Sequence, residues 1–229
     1  MRTDRLILFL FFCLLSAFTQ AQDLAVQMQG FLKTIEQADA ISYKATVRIQ
    51  YTEGTPQLQA IEYIRTSNSM YYKTAQMELM ADKTISVMIY PMSKVVMWGE
   101  TVKETIRKGE ADVFNLDSSF NRPDSVLYTG QKNGVHTYIV YSSKHYISSS
   151  EFSFRASDGL LVSAAYYYHS KKGSGIYKSE VTFTEFHIND AVPPVKNWTD
   201  VLQYTDRKYQ LSSGYSEYKL IPLKETIKP

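Results

Sequence analysis

From Tyr43 to Thr52 the side chains alternate without a break. Tyr43, Ala45, Val47, Ile49 and Tyr51 lie on one side, and Lys44, Thr46, Arg48 and Gln50 on the other. A period of two with one apolar row is the signature of a half-buried β-strand. Just upstream the period is 3.6: Leu24, Met28, Phe31, Leu32, Ile35 and Ala38 share one face of an amphipathic helix that Asp23 can cap. The chain therefore turns from helix to strand near Asp39, and from there strands dominate.

Further strands are expected at Ala60–Thr66, Ser69–Ala75, Thr84–Tyr90, Lys94–Gly99, Val126–Gln131, Val135–Ser142, Ser150–Ala156, Leu160–His169 and Ile176–Ile188. Pro91-Met92-Ser93, Asn133-Gly134 and Asp158-Gly159 mark the turns between neighbours. Glu110–Phe120 carries Val113, Leu116 and Phe120 near helical spacing, which suggests a short helix or lid. Val192-Pro193-Pro194-Val195 stops the last long strand because proline removes a ladder donor. The tail is expected to add strands at Lys208–Ser212 and Tyr215–Ile221. The fold class expected is mostly β (α+β): one helix, then a meander of antiparallel strands.

Ahead of the helix, Arg2 and Arg5 precede an apolar run from Leu6 to Leu15, and Thr19-Gln20-Ala21 sets small residues before Gln22. That is the order of a secretory signal, and the run is too short for a permanent membrane span. Residues 1–21 read as the signal peptide and 22–229 as a single exported domain. Cys13, the one cysteine, lies within the apolar run behind Phe11-Phe12, which does not suit acylation at a cleavage point. The exported domain thus has no disulfide and no thiol nucleophile. With 25 Lys and Arg against 23 Asp and Glu, nothing steers the chain to nucleic acid.

No catalytic motif stands out. His136, His145, His169 and His187 lack metal-ligand spacing, and no Gly-x-Ser-x-Gly elbow exposes a serine. Gly173-Ser174-Gly175 lacks the lysine of a phosphate loop. An exported hydrolase would have to assemble its site from dispersed groups such as Glu151, Glu180, Glu185 or His187. Methionine is more informative: Met70, Met77, Met80, Met88, Met92 and Met97 fall within one stretch of strands. Flexible thioethers fill cores, line pockets that adapt to apolar ligands, or hold Cu(I), and the sequence leaves these three readings open. Eighteen tyrosines against two tryptophans also suit half-exposed sheet surfaces that meet a protein or a glycan.

The order of helix, antiparallel strands and mid-chain helical excursion resembles the periplasmic lipoprotein carrier (LolA-like) family. The local phrases that carry the likeness are Ile41-Ser42-Tyr43-Lys44-Ala45-Thr46-Val47, Ile89-Tyr90-Pro91-Met92-Ser93-Lys94-Val95, Phe154-Arg155-Ala156-Ser157-Asp158-Gly159-Leu160-Leu161 and Phe183-Thr184-Glu185-Phe186-His187-Ile188-Asn189. It covers about residues 24–195 and leaves 196–229 as a C-terminal extension. The resemblance implies a curved antiparallel sheet, an incomplete β-barrel closed by helices around an apolar cavity. It also implies a non-catalytic carrier in the Gram-negative periplasm that holds an acyl chain of a lipoprotein or lipid, without a cofactor. The family closes its lid with an arginine near the end of an early strand, for which Arg65 is the nearest position, although Thr66 stands where a proline is expected. The expected cavity wall is Ile49, Met70, Met88, Ile89, Val96 and Met97, with the first helix across the opening. The alternative is an envelope interaction protein that uses its tyrosine-rich sheet to bind a protein or glycan partner.

Overall fold

The computed structural model describes residues 23–101, 124–143, 146–169, 175–189 and 192–223. Residues 1–21 of the expected signal, the expected lid at Glu110–Phe120, His145 and the stretch Lys171–Ser174 lie outside the described residues.

One helix, α1 (residues 23–37), precedes fourteen strands among the described residues. These are β1 (Ala40–Tyr51), β2 (Gln57–Thr66), β3 (Ser69–Lys73), β4 (Glu78–Asp82), β5 (Ile85–Tyr90), β6 (Val95–Glu100) and β7 (Ser125–Lys132). After them come β8 (Val135–Tyr141), β9 (Ile147–Arg155), β10 (Leu161–Tyr168), β11 (Ile176–Ile188), β12 (Leu202–Thr205), β13 (Lys208–Leu211) and β14 (Lys219–Pro222). Twelve of them make one sheet in the order β14-β6-β5-β4-β3-β2-β1-β11-β10-β9-β8-β7, and β12 pairs with β13. The ladders from β2 to β6 and from β7 to β11 are antiparallel, whereas β14 runs parallel to β6. The fold is mostly β, an open, mixed and mostly antiparallel sheet with one N-terminal helix.

Local chemistry explains the turns. Asn133 (φ 52°) and Gly134 (φ 74°) both take the left-handed conformation that a two-residue hairpin turn with matching twist requires. Gly159 (φ 71°) does the same after Asp158, whose carboxylate accepts from the Leu160 N–H at 3.1 Å. Two strands escaped the sequence reading, β4 and β12. The expected strand at Tyr215–Ile221 shortens to β14, because Ser213–Tyr215 forms a 3-10 turn. Leu32, placed on the buried helix face, is 40% exposed: it sits one residue, about 100°, beyond Phe31 and falls off the stripe.

The chain divides into two compact units, drawn from residues 1–37, 46–58 and 116–184, and from residues 38–45, 59–115 and 185–229. In the first, α1 buries Leu24, Met28, Phe31 and Ile35. Phe31 meets Phe154 edge to face at 6.4 Å, and the Gln27 amide donates to the Gly159 carbonyl at 3.4 Å. Tyr138, Phe152 and Ala164 form one cross-strand row on β8, β9 and β10, all buried. The second unit has a core of its own, described next.

Candidate functional site

Strands β2 to β6 of the second unit carry residues alternately on two faces, and their register fixes which residues share each face. On one face Ile64, Tyr71, Met80, Val87 and Trp98 lie side by side across the five strands. A parallel row brings Ile89 next to Val96 on that same face. These residues pack with Val201 and Leu202, and against Val192 and Val195 just before the C-terminal extension and Trp198, Tyr209, Tyr215 and Leu220 within it. Val87, Val96 and Val201 have no exposed surface. The extension therefore builds a dry core on this side.

Polar ties hold it there. The Lys196 ammonium donates to Glu78 at 2.8 Å and to the Tyr215 hydroxyl at 3.3 Å, while Lys73 lies 3.5 Å from the same carboxylate. Burial opposes ionisation of Glu78, but the bonds and charges of Lys196 and Lys73 together outweigh it and hold the carboxyl below its ordinary value. The Tyr71 hydroxyl, desolvated and facing Glu78, is pushed up to about 12. The Trp198 indole N–H donates to Asp82 at 2.6 Å. Burial opposes the Asp82 charge, yet bonds from Thr84, Trp198 and two backbone N–H groups bring its carboxyl down to about 2. A small cleft of about 40 Å³ between β4 and the extension is lined by Ser69, Asp82, Lys196 and Asn197, among others. That volume suits a water molecule and is far too small for an organic ligand.

The opposite face carries Tyr63, Tyr72, Leu79, Met88 and Met97 as one row, each residue opposite the next on β2 through β6. Tyr63 is fully buried, stacked on Tyr43 at 4.9 Å, and Tyr43 in turn stacks on Phe186 at 5.7 Å. Moving outward from Tyr63, burial becomes partial at Tyr72, Leu79, Met88 and Met97. The Tyr90 hydroxyl donates to the Met88 sulfur at 3.8 Å. With strands about 4.8 Å apart, the row runs about 19 Å across the sheet. It is an apolar band, rich in flexible side chains, at right angles to the strands. Arg65 and Met70 face the same way in a neighbouring row. The Arg65 guanidinium donates to the Ala38 carbonyl, just past α1, at 3.3 Å.

Six residues were expected to line one cavity, and the register divides them. Met70, Met88 and Met97 share a face. Ile89 and Val96 lie on the other, under the extension, because neighbours in a strand point to opposite sides. Ile49 is half-buried in the first unit and joins neither row. Tyr72 and Leu79 were missed: Leu79 lies in the unread β4, and without β4 the register from β3 to β5 has no bridge.

The other candidate groups do not converge. Met80 lies on the extension side and Met92 is exposed at the β5–β6 turn, so the six methionines form no single thioether cage. Glu151 and Glu180 share a row with Ala165 between them; Glu180 pairs with Lys178 at 3.0 Å and Glu185 with Lys44 at 3.0 Å. His187 is exposed. His136 meets the Tyr128 hydroxyl at 2.8 Å. Among the described residues no three His, Cys, Asp or Glu side chains gather as a metal site, and no helix is long and apolar enough to cross a membrane.

No protein-family model matches the chain, and no curated protein matches it in sequence. Solved structures do match in fold. The Mycobacterium tuberculosis lipoprotein LppX is 9% identical, with 76% of this chain and 98% of that chain covered and a TM-score of 0.45. A LolA superfamily protein from Nitrosomonas europaea is 9% identical, covering 71% and 93%, with a TM-score of 0.32. A chain of the Pseudomonas aeruginosa MucA/MucB complex is 12% identical, covering 75% of this chain but 59% of its own length, with a TM-score of 0.44. At these scores the likeness carries no argument about ligand or activity. The structural neighbours of this chain are LolA superfamily, MucB and LppX-like fold proteins, at low sequence identity.

Proposed function

We propose that the protein is a non-catalytic periplasmic carrier or chaperone that binds an acyl chain of a lipoprotein or lipid. The observation that carries this reading is the row Tyr72–Leu79–Met88–Met97, an apolar and partly exposed band at right angles to the strands. Each methylene removed from water contributes about 0.8 kcal/mol, so a band about 19 Å long from Tyr63 to Met97 can hold a long acyl chain without covalent chemistry. Methionine suits this role because its unbranched thioether adapts to chains of differing length. Met70 supports the row from the strand beside it, and Arg65 is proposed to control access through its bond to the chain leaving α1.

The test is native mass spectrometry of the chain purified without detergent, followed by organic extraction and by titration with a fluorescent fatty acid. Co-purified lipid, or uptake that falls at least about tenfold in Met88→Lys, supports carriage. A clean apo mass with no fatty-acid uptake ends it.

A further inference from the structure

The methionines between Met70 and Met97 stand in three different environments. Met70 and Met80 are sealed, at 2% and 1% exposure, whereas Met92 is 90% exposed at the β5–β6 turn. Met88 and Met97 lie between these extremes: they sit directly opposite one another on β5 and β6, both half-buried within the apolar row. Met77, just ahead of β4, is also half-buried but outside that row. A thioether gives up two electrons readily, and its susceptibility follows its access to the oxidant. A hypohalous acid is hardly larger than water, so partial exposure is enough for it to reach Met88 and Met97.

We propose that Met88 and Met97 form a paired oxidation site, at which hypochlorous acid converts both thioethers to sulfoxides and switches off the apolar row. This inference rests on the reading of that row as the acyl-chain site. At each sulfur an S–O bond forms, the O–Cl bond of the acid breaks, and chloride and a proton are released; sulfur loses two electrons and chlorine gains them. The product is a polar group where methylenes would otherwise pack. Because the two residues are cross-strand partners, both oxygens enter the band at one point. The Tyr90 hydroxyl already donates to the Met88 sulfur at 3.8 Å. A sulfoxide oxygen accepts such a bond more strongly than a thioether does, so a donor for the oxidised side chain is in place. The residues that seal the core, Val87 and Val96, point to the other face, and the modification therefore changes the ligand surface without entering the packed side.

The exported chain would be titrated with hypochlorite, with each methionine followed by peptide mass spectrometry and fatty-acid uptake measured alongside. Untreated protein is assayed first, and no uptake at that stage ends the carrier reading and this inference with it. In wild type, uptake should fall at least about tenfold as Met88 and Met97 gain oxygen, before Met70 or Met80 reacts and with the cooperative urea transition retained. Methionine sulfoxide reductases should restore it. Bound fatty acid should slow oxidation of Met88 and Met97 and leave that of Met92 unchanged. Met92→Leu should lose uptake on oxidation as wild type does. The double variant Met88→Leu, Met97→Leu is compared only with its own untreated level; oxidant should change its uptake less than about twofold, although Met77 and Met92 still react. Three results overturn the inference while leaving carriage standing: wild type that keeps its uptake with both sulfurs oxidised, a double variant that loses as much as wild type, or loss that appears only when Met70 or Met80 reacts and the protein unfolds.

Discussion

The two faces of β2–β6 are made by the same strands from alternate residues, yet they differ in how far water is excluded. On one face Val87 and Val96 have no exposed surface and the C-terminal extension supplies the opposing side chains. On the other, Met88 and Met97, their immediate neighbours in sequence, remain partly exposed. A strand supplies two apolar rows at no added cost in chain length, but each row needs its own partner to become core. The face packed by the extension is committed to stability. The Met88 face keeps apolar surface that a ligand can cover.

The sharpest way to break this contrast uses adjacent residues. Val87→Lys puts an unpaired ammonium into a site with no solvent access, and it should cost about 4 kcal/mol or more, read as loss of a cooperative urea transition. Met88→Lys, one residue on, should cost less than about 1.5 kcal/mol because a long side chain at a half-exposed site can reach water. It should nevertheless abolish fatty-acid uptake. If both variants unfold alike, the two faces are equally core and the distinction fails.

Next in size is the extension itself. Trp198→Ala removes a large ring and the bond to Asp82, and should lower stability by about 3 kcal/mol by urea denaturation with uptake per folded molecule unchanged. A variant that lost uptake without losing stability would move the ligand to this side. Gly99 sharpens the same point: a Cβ there would meet the Leu223 Cβ at 2.9 Å. Gly99→Ala should therefore loosen β14, costing about 1–2 kcal/mol, with faster amide exchange confined to β14.

The smallest effect expected is that of pH. Asp82 titrates at about 2 in the folded protein, below the ordinary carboxylate value near 3.9 in an unfolded chain. A depressed folded value means that the unfolded state takes up the proton more readily, so its stabilisation is complete above about pH 4 and fades as pH falls toward 2. Glu78, also held low, adds in the same direction. Asp82→Asn should flatten the acid limb between about pH 4 and pH 2, seen as urea midpoints that vary less with pH than in wild type. An unchanged limb would show that the Asp82 carboxylate does not contribute to the acid limb.

Much of the architecture was written locally. The unbroken alternation of β1 needed no tertiary information, and Ile176–Ile188 was read with the bounds that the structure gives. Asn133-Gly134 announced its hairpin because both residues tolerate positive φ. The misses have equally local reasons. In β4, Glu78-Leu79-Met80-Ala81-Asp82 holds no β-branched or aromatic residue, and its composition favours a helix; pairing with β3 and β5 overrides that preference. In β12–β13 the turn is made by Asp206 (φ 52°) and Arg207 (φ 62°), so the glycine that usually advertises a tight hairpin is absent.

The candidate site was less legible than the fold. Periodicity in the sequence separates Val87 from Met88 and Val96 from Met97, because a strand must send neighbours to opposite sides. That separation is local, and the sequence alone determined it. Which of the two sets would be sealed was decided only when Val192–Leu220 returned to pack on Val87 and Val96 and β14 joined β6 in parallel. Burial is a property of what lies opposite a residue. Here the opposing side chains come from a segment about a hundred residues downstream, so no pattern within β5 or β6 contains the answer.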